Sequence, residues 1–243
     1  PDRFIGMAGD YQGYYQYSSE QSARYAPYDV FALEPTNGDL AVWLLHGHND
    51  DAVNVLSSAL FADHVGAAGI ESRLLTTDTT HAAPLDPTIP AGRFAADRID
   101  AIIHDRQEPD WWPAGDSDAT LRLEADVSCV YDGPETWPTD RAMRIEIENE
   151  TDVDASFAMV SIRDDVEITR EEALAGDGIL GVDNPDWVDW GGFRPVPPGE
   201  QRMLDFAFVE ADQTFVAYCH LDPESDHPRA GWMFPAEVIS PEP

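Results

Sequence analysis

The second half of the chain alternates between apolar and polar residues, and that pattern constrains the fold more than any other feature. Leu121, Leu123, Ala125, Val127 and Cys129 interleave with Arg122, Glu124, Asp126 and Ser128. Met143, Ile145 and Ile147 interleave with Arg144, Glu146 and Glu148, and Ala158, Val160 and Ile162 continue the theme. Leu204, Phe206 and Phe208 are followed, after the turn at 210–213, by Phe215, Ala217, Cys219 and Leu221. Side chains in a strand point to opposite faces in turn, so each segment reads as a strand with one buried face. The pair 204–208 and 215–221 reads as a hairpin. A short strand is expected over 166–169, and residues 171–200, rich in Gly and Pro, read mainly as loop. A last strand over Gly231–Ser240 is interrupted at Pro235, which suits an edge.

The first half is less regular. Residues 28–34 read as a strand, and Pro35-Thr-Asn-Gly-Asp39 as a turn. Leu40–Leu45 is a continuous apolar run, which predicts a strand covered on both faces. Val53, Leu56, Leu60 and Val65 form a helical stripe within 51–66. Ile70–Thr77 and Ile99–His104 read as strands, separated by a Pro-, Thr- and Asp-rich loop over 78–92. About ten short strands, long loops and one short helix predict an all-β chain. The expected architecture is a jelly-roll-type sandwich of two four-stranded sheets. The expected organisation is an extended Tyr-rich arm at 1–27, then a single domain over 28–243.

The surface chemistry is unusual. There are 47 acidic residues against 14 basic ones, a formal charge of −33, and every basic residue is Arg. Phosphate binding needs clustered cations, so the balance argues against a nucleic-acid partner and against adhesion to anionic membranes. At 43% apolar residues, with 7 Trp, the chain is not compositionally disordered either. A charge this large makes a compact protein repel itself at ordinary ionic strength. In molar salt the Debye length falls to about 3 Å and the repulsion is screened. Lys exposes a long apolar stem there, whereas Arg keeps a planar fork for carboxylates. An acid excess without Lys therefore reads as adaptation to concentrated salt, with inorganic cations as companions.

The same composition restricts chemistry. Without Lys, the chain has no Schiff-base or Ser–Lys mechanism of its own. With so many acids, pairs such as Asp164-Asp165 and Glu171-Glu172 carry no signal for glycoside hydrolysis. No nucleophile elbow, phosphate loop, dinucleotide fingerprint or EF-hand occurs. Cys129 and Cys219 fall in phase with buried neighbours and read as core thiols, with a bond between strands or subunits as the alternative. Trp111, Trp112, Trp187 and Trp190 lie in predicted loops, where they pin the loop, fill an interface or stack on sugars. A surface carbohydrate-binding sandwich is one function they would serve. No charged segment followed by an apolar stretch opens residues 1–25, so no signal peptide is expected. The run Leu40–Leu45 is far short of the ~20 residues that span a bilayer.

One segment has a catalytic look. Leu45-His46-Gly47-His48-Asn49-Asp50-Asp51 follows a strand and precedes a helix. Two His at i, i+2 off a strand end can converge on one zinc, and a following Asp can ligate a second metal. The segment resembles the His-x-His-x-Asp-His signature of the metallo-β-lactamase fold. That resemblance implies His46 and His48 on a first zinc and Asp50 on a second. Asp51 stands where the family has His. The plain alternative is a polar strand exit, with Gly47 in the turn and Asp50 or Asp51 capping the helix. His64, His81, His104, His220 and His227 stand in no motif.

Taken together, the acidic sandwich, the strands at 121–129, 143–147, 204–208 and 215–221, and the Tyr-rich arm at 11–19 resemble a known family. It is that of the single jelly-roll major capsid proteins of icosahedral, internal-membrane viruses of haloarchaea. The resemblance implies a structural virion protein without enzyme activity or cofactor. Its partners would be further copies and other capsid proteins, with no nucleic-acid contact and no membrane insertion. A zinc-dependent hydrolase using His46, His48 and Asp50 is the second expectation.

Overall fold

Two sheets face each other across a shared apolar core. The computed structural model describes residues 41–48, 50, 55–81, 83, 86–104, 113, 115–139, 141–162, 165, 167–175, 179–180, 188–208, 214–222 and 226–242, with the backbone alone at 56–57, 90, 179–180 and 188–193. The arm at 1–27, the strand at 28–34, Asn49, Asp51 and Trp111, Trp112 and Trp187 lie outside the described residues.

In chain order the elements are β1 (Ala41–Gly47), α1 (Val55–Ala67), β2 (Glu71–Thr77), α2 (Pro90–Ile103), β3 (Ala119–Leu123), β4 (Cys129–Asp132), β5 (Thr136–Pro138) and β6 (Met143–Asn149). There follow β7 (Ala155–Ile162), α3 (Arg170–Leu174), β8 (Ile179–Leu180), β9 (Val188–Val196), β10 (Gln201–Ala207), β11 (Phe215–Leu221) and β12 (Trp232–Glu242). The first sheet runs β1-β2-β10-β6-β3-β4 and the second β5-β12-β11-β7-β9, with β8 pairing β12. The chain is thus an all-β sandwich in class, and among the described residues each of its two sheets has six strands rather than the four expected. Its ladders are mixed: β1 with β2, β2 with β10, β3 with β6 and β12 with β5 run parallel.

The alternating segments fill the space between the sheets. Leu121, Leu123, Ile145, Ile147, Leu204 and Phe206 face Phe157, Met159, Phe215, Ala217, Leu221 and Ile239 in one cluster. Phe206, Phe208 and Phe215 meet edge to face, with centroids 5.1–5.4 Å apart, the geometry that aromatic quadrupoles favour.

Several expectations change. Segments 204–208 and 215–221 are not a hairpin. β10 pairs β6 and β2, whereas β11 pairs β7 and β12. A period of two fixes which face is buried, not which strand is the partner. The segment 121–129 is not one strand: β3 and β4 pair antiparallel across a turn in which Val127 takes φ 69°. Residues 99–103 belong to α2, which His104 caps and which starts at Pro90, with proline in the first turn. Its buried face is Ala91, Phe94 and Ala101, while Ile99 and Ile103 remain exposed. Residues 167–169 form no strand. Thr169 and Glu172 make a capping box that opens α3, so the loop expected over 171–200 contains α3, β8 and β9. Among the described residues three helices therefore replace the one expected. Trp190 sits on β9, not in a loop. β12 is not an edge: it lies between β11 and β5, and Pro235 falls at a register shift where its missing N–H is tolerated.

The two cysteines are not free thiols. Cys129 on β4 and Cys219 on β11 form a disulfide with Cα atoms 5.7 Å apart, joining the two sheets.

Strands β1 and β2 extend the first sheet as a wing. α2 covers its outer face, packing Ala91 and Phe94 on Leu75, Ala207, Trp43 and Leu45. α1 lies against the other face, yet β1 is less enclosed than its apolar run predicts: Leu44 is buried, Val42, Trp43 and Leu45 are half-buried, and Ala41 is exposed. The helix over 51–66 is confirmed as Val55–Ala67, but its buried stripe is Val55, Ala59, Ala62 and Val65, and Leu60 is exposed. The small Ala59 and Ala62 let the helix lie close to the sheet. Among the described residues, no helix is long and apolar enough to cross a membrane.

Candidate functional site

Three strands, β1, β2 and β10, run in the same direction, so their carboxyl ends meet at one edge of the wing. In sheets with parallel strands and crossover helices, ligand sites form at this end. The polar residues of the first half gather here: His46 from β1, His48 and Asp50 beyond it, and Thr77, Asp78, Thr79 and His81 from the exit of β2. Gly47 is required by the close approach of these two exits. A Cβ on it would stand 2.3 Å from the Thr79 carbonyl oxygen and 2.6 Å from that of Thr80.

Asp50 is the centre of a hydrogen-bonded chain. Its Oδ2 lies 3.1 Å from His46 Nε2 and 2.7 Å from His81 Nδ1. On the far side of His46, Nδ1 lies 2.7 Å from the Ser58 hydroxyl on α1. One assignment satisfies every group: Ser58 donates to His46 Nδ1, His46 Nε2–H donates to Asp50, and His81 Nδ1–H donates to the same oxygen. His46, Asp50 and Ser58 are buried. The His81 side chain is 43% exposed and that of Asp50 only 4%.

His48 takes no part in this chain. Its ring meets Phe206 and Phe215 edge to face, with centroids 5.4 and 5.7 Å away. It lines a cavity of about 10 Å³ with Thr76, Arg194, Leu74 and Phe157, room for one water at most. Burial first, and the neighbouring His46 second, push its pKa down from 6.5 to about 3. The ring is therefore neutral in the fold.

The structure brings His46, Asp50 and His81 together, and turns the His48 ring towards Phe206 and Phe215. The two imidazoles abut one carboxylate oxygen at hydrogen-bond distance. Among the described residues no three His, Cys, Asp or Glu converge as a metal-ligand set. Among the described residues His46 and His48 do not converge as the expected zinc pair, because the His48 ring packs against Phe206 and Phe215.

No family model matches the chain, and no curated protein matches it. Among solved structures, the chain is similar to a dithionite-reduced auracyanin from the photosynthetic bacterium Roseiflexus castenholzii, at 14% identity over 51% of this chain and 95% of that one, with a TM-score of 0.27. It is also similar to a laccase from Pediococcus acidilactici, at 15% identity over 50% of this chain and 26% of that one, with a TM-score of 0.26.

His81 and Ser58 were not legible as site residues. The signal for His81 lies in position: it follows the exit of β2 as His48 and Asp50 follow that of β1. Only the parallel pairing of those strands turns the two exits into one place.

Proposed function

We propose that the chain is a structural protein of an assembly outside the cell in concentrated salt. In its most specific form this is a capsid protein of a halophilic archaeal virus. The observation that carries the reading is the Cys129–Cys219 disulfide across the core of a Lys-free chain with charge −33. Disulfides of this kind persist in secreted proteins and on virion and cell surfaces, and are rare in reducing cytosol. A cross-linked sandwich resists local opening, which suits a shell exposed to brine. The partners in this reading are further copies of the chain and other shell proteins, with screening cations between the acidic faces.

Size-exclusion chromatography with light scattering in 3 M NaCl tests it. The expected result is a mass that rises with protein concentration towards discrete oligomers. A strict monomer across the range would count against assembly.

A further inference from the structure

The chain from Ser58 to His81 ends in an imidazole with the orientation of a general base. His81 Nδ1 is held by the buried carboxylate of Asp50 at 2.7 Å, and the side chain is 43% exposed. A ring fixed at Nδ1 presents Nε2 on its opposite side, and Nε2 has no partner among the described residues. A buried carboxylate that sets the tautomer and steadies the imidazolium, with the other nitrogen outward, is the division of labour of a catalytic His–Asp pair. Asp50 is itself fixed by His46, which is fixed by Ser58. The arrangement stands at the carboxyl ends of β1, β2 and β10, where such folds place reactive groups.

We propose that His81 is a general base for hydrolysis of uncharged carboxylic esters, with Asp50 as its positioning residue. The substrate class follows from the surroundings. The carboxylates of Asp50 and Asp78 lie at this edge, and the chain carries −33. That field disfavours anionic phosphate esters but leaves a neutral ester unaffected. In the step, His81 Nε2 takes a proton from water as the water oxygen bonds to the acyl carbon. The tetrahedral intermediate collapses, the bond to the leaving oxygen breaks, and the imidazolium returns its proton to that oxygen. Ester and water give acid and alcohol, and His81 is regenerated. This activity is separate from the assembly role, and either can fail alone.

His104 supplies the internal control. It also pairs with an Asp, with Nδ1 2.9 Å from Asp100 Oδ1, but that carboxylate is 45% exposed and the ring 54%. The test is hydrolysis of 4-nitrophenyl acetate by the full chain in 3 M KCl at neutral pH. H81A is expected to lose about 100-fold in kcat/KM, the lower end for a positioned general base, while H104A keeps the original rate. Free imidazole is expected to restore part of the rate of H81G and to add nothing to the unaltered protein beyond its rate in buffer. D50N is expected to lower kcat about tenfold at unchanged KM. His81 is exposed, so H81A is expected to fold, and circular dichroism checks this. Equal rates for H81A and the original chain, or equal losses for H81A and H104A, would overturn the proposal.

Discussion

Arg194 on β9 grips Asp63 on α1 through two hydrogen bonds, Nη1 to Oδ2 at 3.0 Å and Nη2 to Oδ1 at 2.6 Å. Nη1 also donates to the Ala59 carbonyl at 3.0 Å. The clamp fastens the helix that carries Ser58 to the second sheet, and Arg194 is mostly buried. Asp63→Ala leaves that guanidinium short of a partner in a low-dielectric site. The expected loss is about 2 kcal/mol, below the value for a fully buried pair because Asp63 is partly exposed. R194M/D63L is expected to lose less than the sum of the two single variants, measured by chemical denaturation at fixed salt.

The disulfide closes a loop with a sequence separation of 90. Chain-entropy arguments give about 4–5 kcal/mol of stabilisation for a loop of this length. C129A/C219A is therefore expected to melt well below the parent in the same salt. A thiol titration of the denatured, unreduced protein is expected to find no free thiol. Two titratable thiols would remove the disulfide, and with it the main support for an oxidising milieu.

Legibility in the sequence followed the range of each interaction. The core faces of β3, β6, β10 and β11 were readable because alternation is local. So was α1, although its face was misjudged: Leu60 carries more apolar area than Ala59, yet close approach to the sheet selects the small residue. α2 was not legible because Ile99–Ile103, apolar but for Asp100, is short enough to suit strand or helix equally. α3 carries a sequence signature of its own, the Thr169-Arg-Glu-Glu172 capping box. At the site, His46 and Asp50 were visible together. His81 was not, because it lies 31 residues from Asp50 and meets it only through the β1–β2 ladder. The surroundings of His48 were not legible either, because spacing off a strand end cannot reveal that Phe206 and Phe215 from distant strands will meet the ring.

Salt should act on the whole fold. The surface carries far more carboxylates than Arg can pair, and exposed like charges repel over about 30 Å at 0.01 M salt. Dialysis from 3 M to low millimolar NaCl is expected to lower the melting temperature and loosen the sandwich, read by far-UV circular dichroism. Divalent cations at millimolar concentration should recover part of the loss. A melting temperature independent of salt would sink the halophilic reading.

His48 sets a separate acid limit. Its pKa is about 3 in the fold against 6.5 when unfolded. Below pH 6.5 the unfolded chain binds a proton at this ring and the folded chain does not, so stability falls with falling pH. The contribution is complete above pH 6.5. It declines by about 1.4 kcal/mol per pH unit as pH drops towards the folded value. Carboxylates titrate in the lower part of this window, so the readout is the difference between the parent and H48L. That difference in unfolding free energy is expected to be flat above pH 6.5 and to shift in favour of H48L below it. A difference that stays constant from pH 7 to pH 4.5 would mean the ring gains its proton within the fold, and that the aromatic enclosure by Phe206 and Phe215 opens to water.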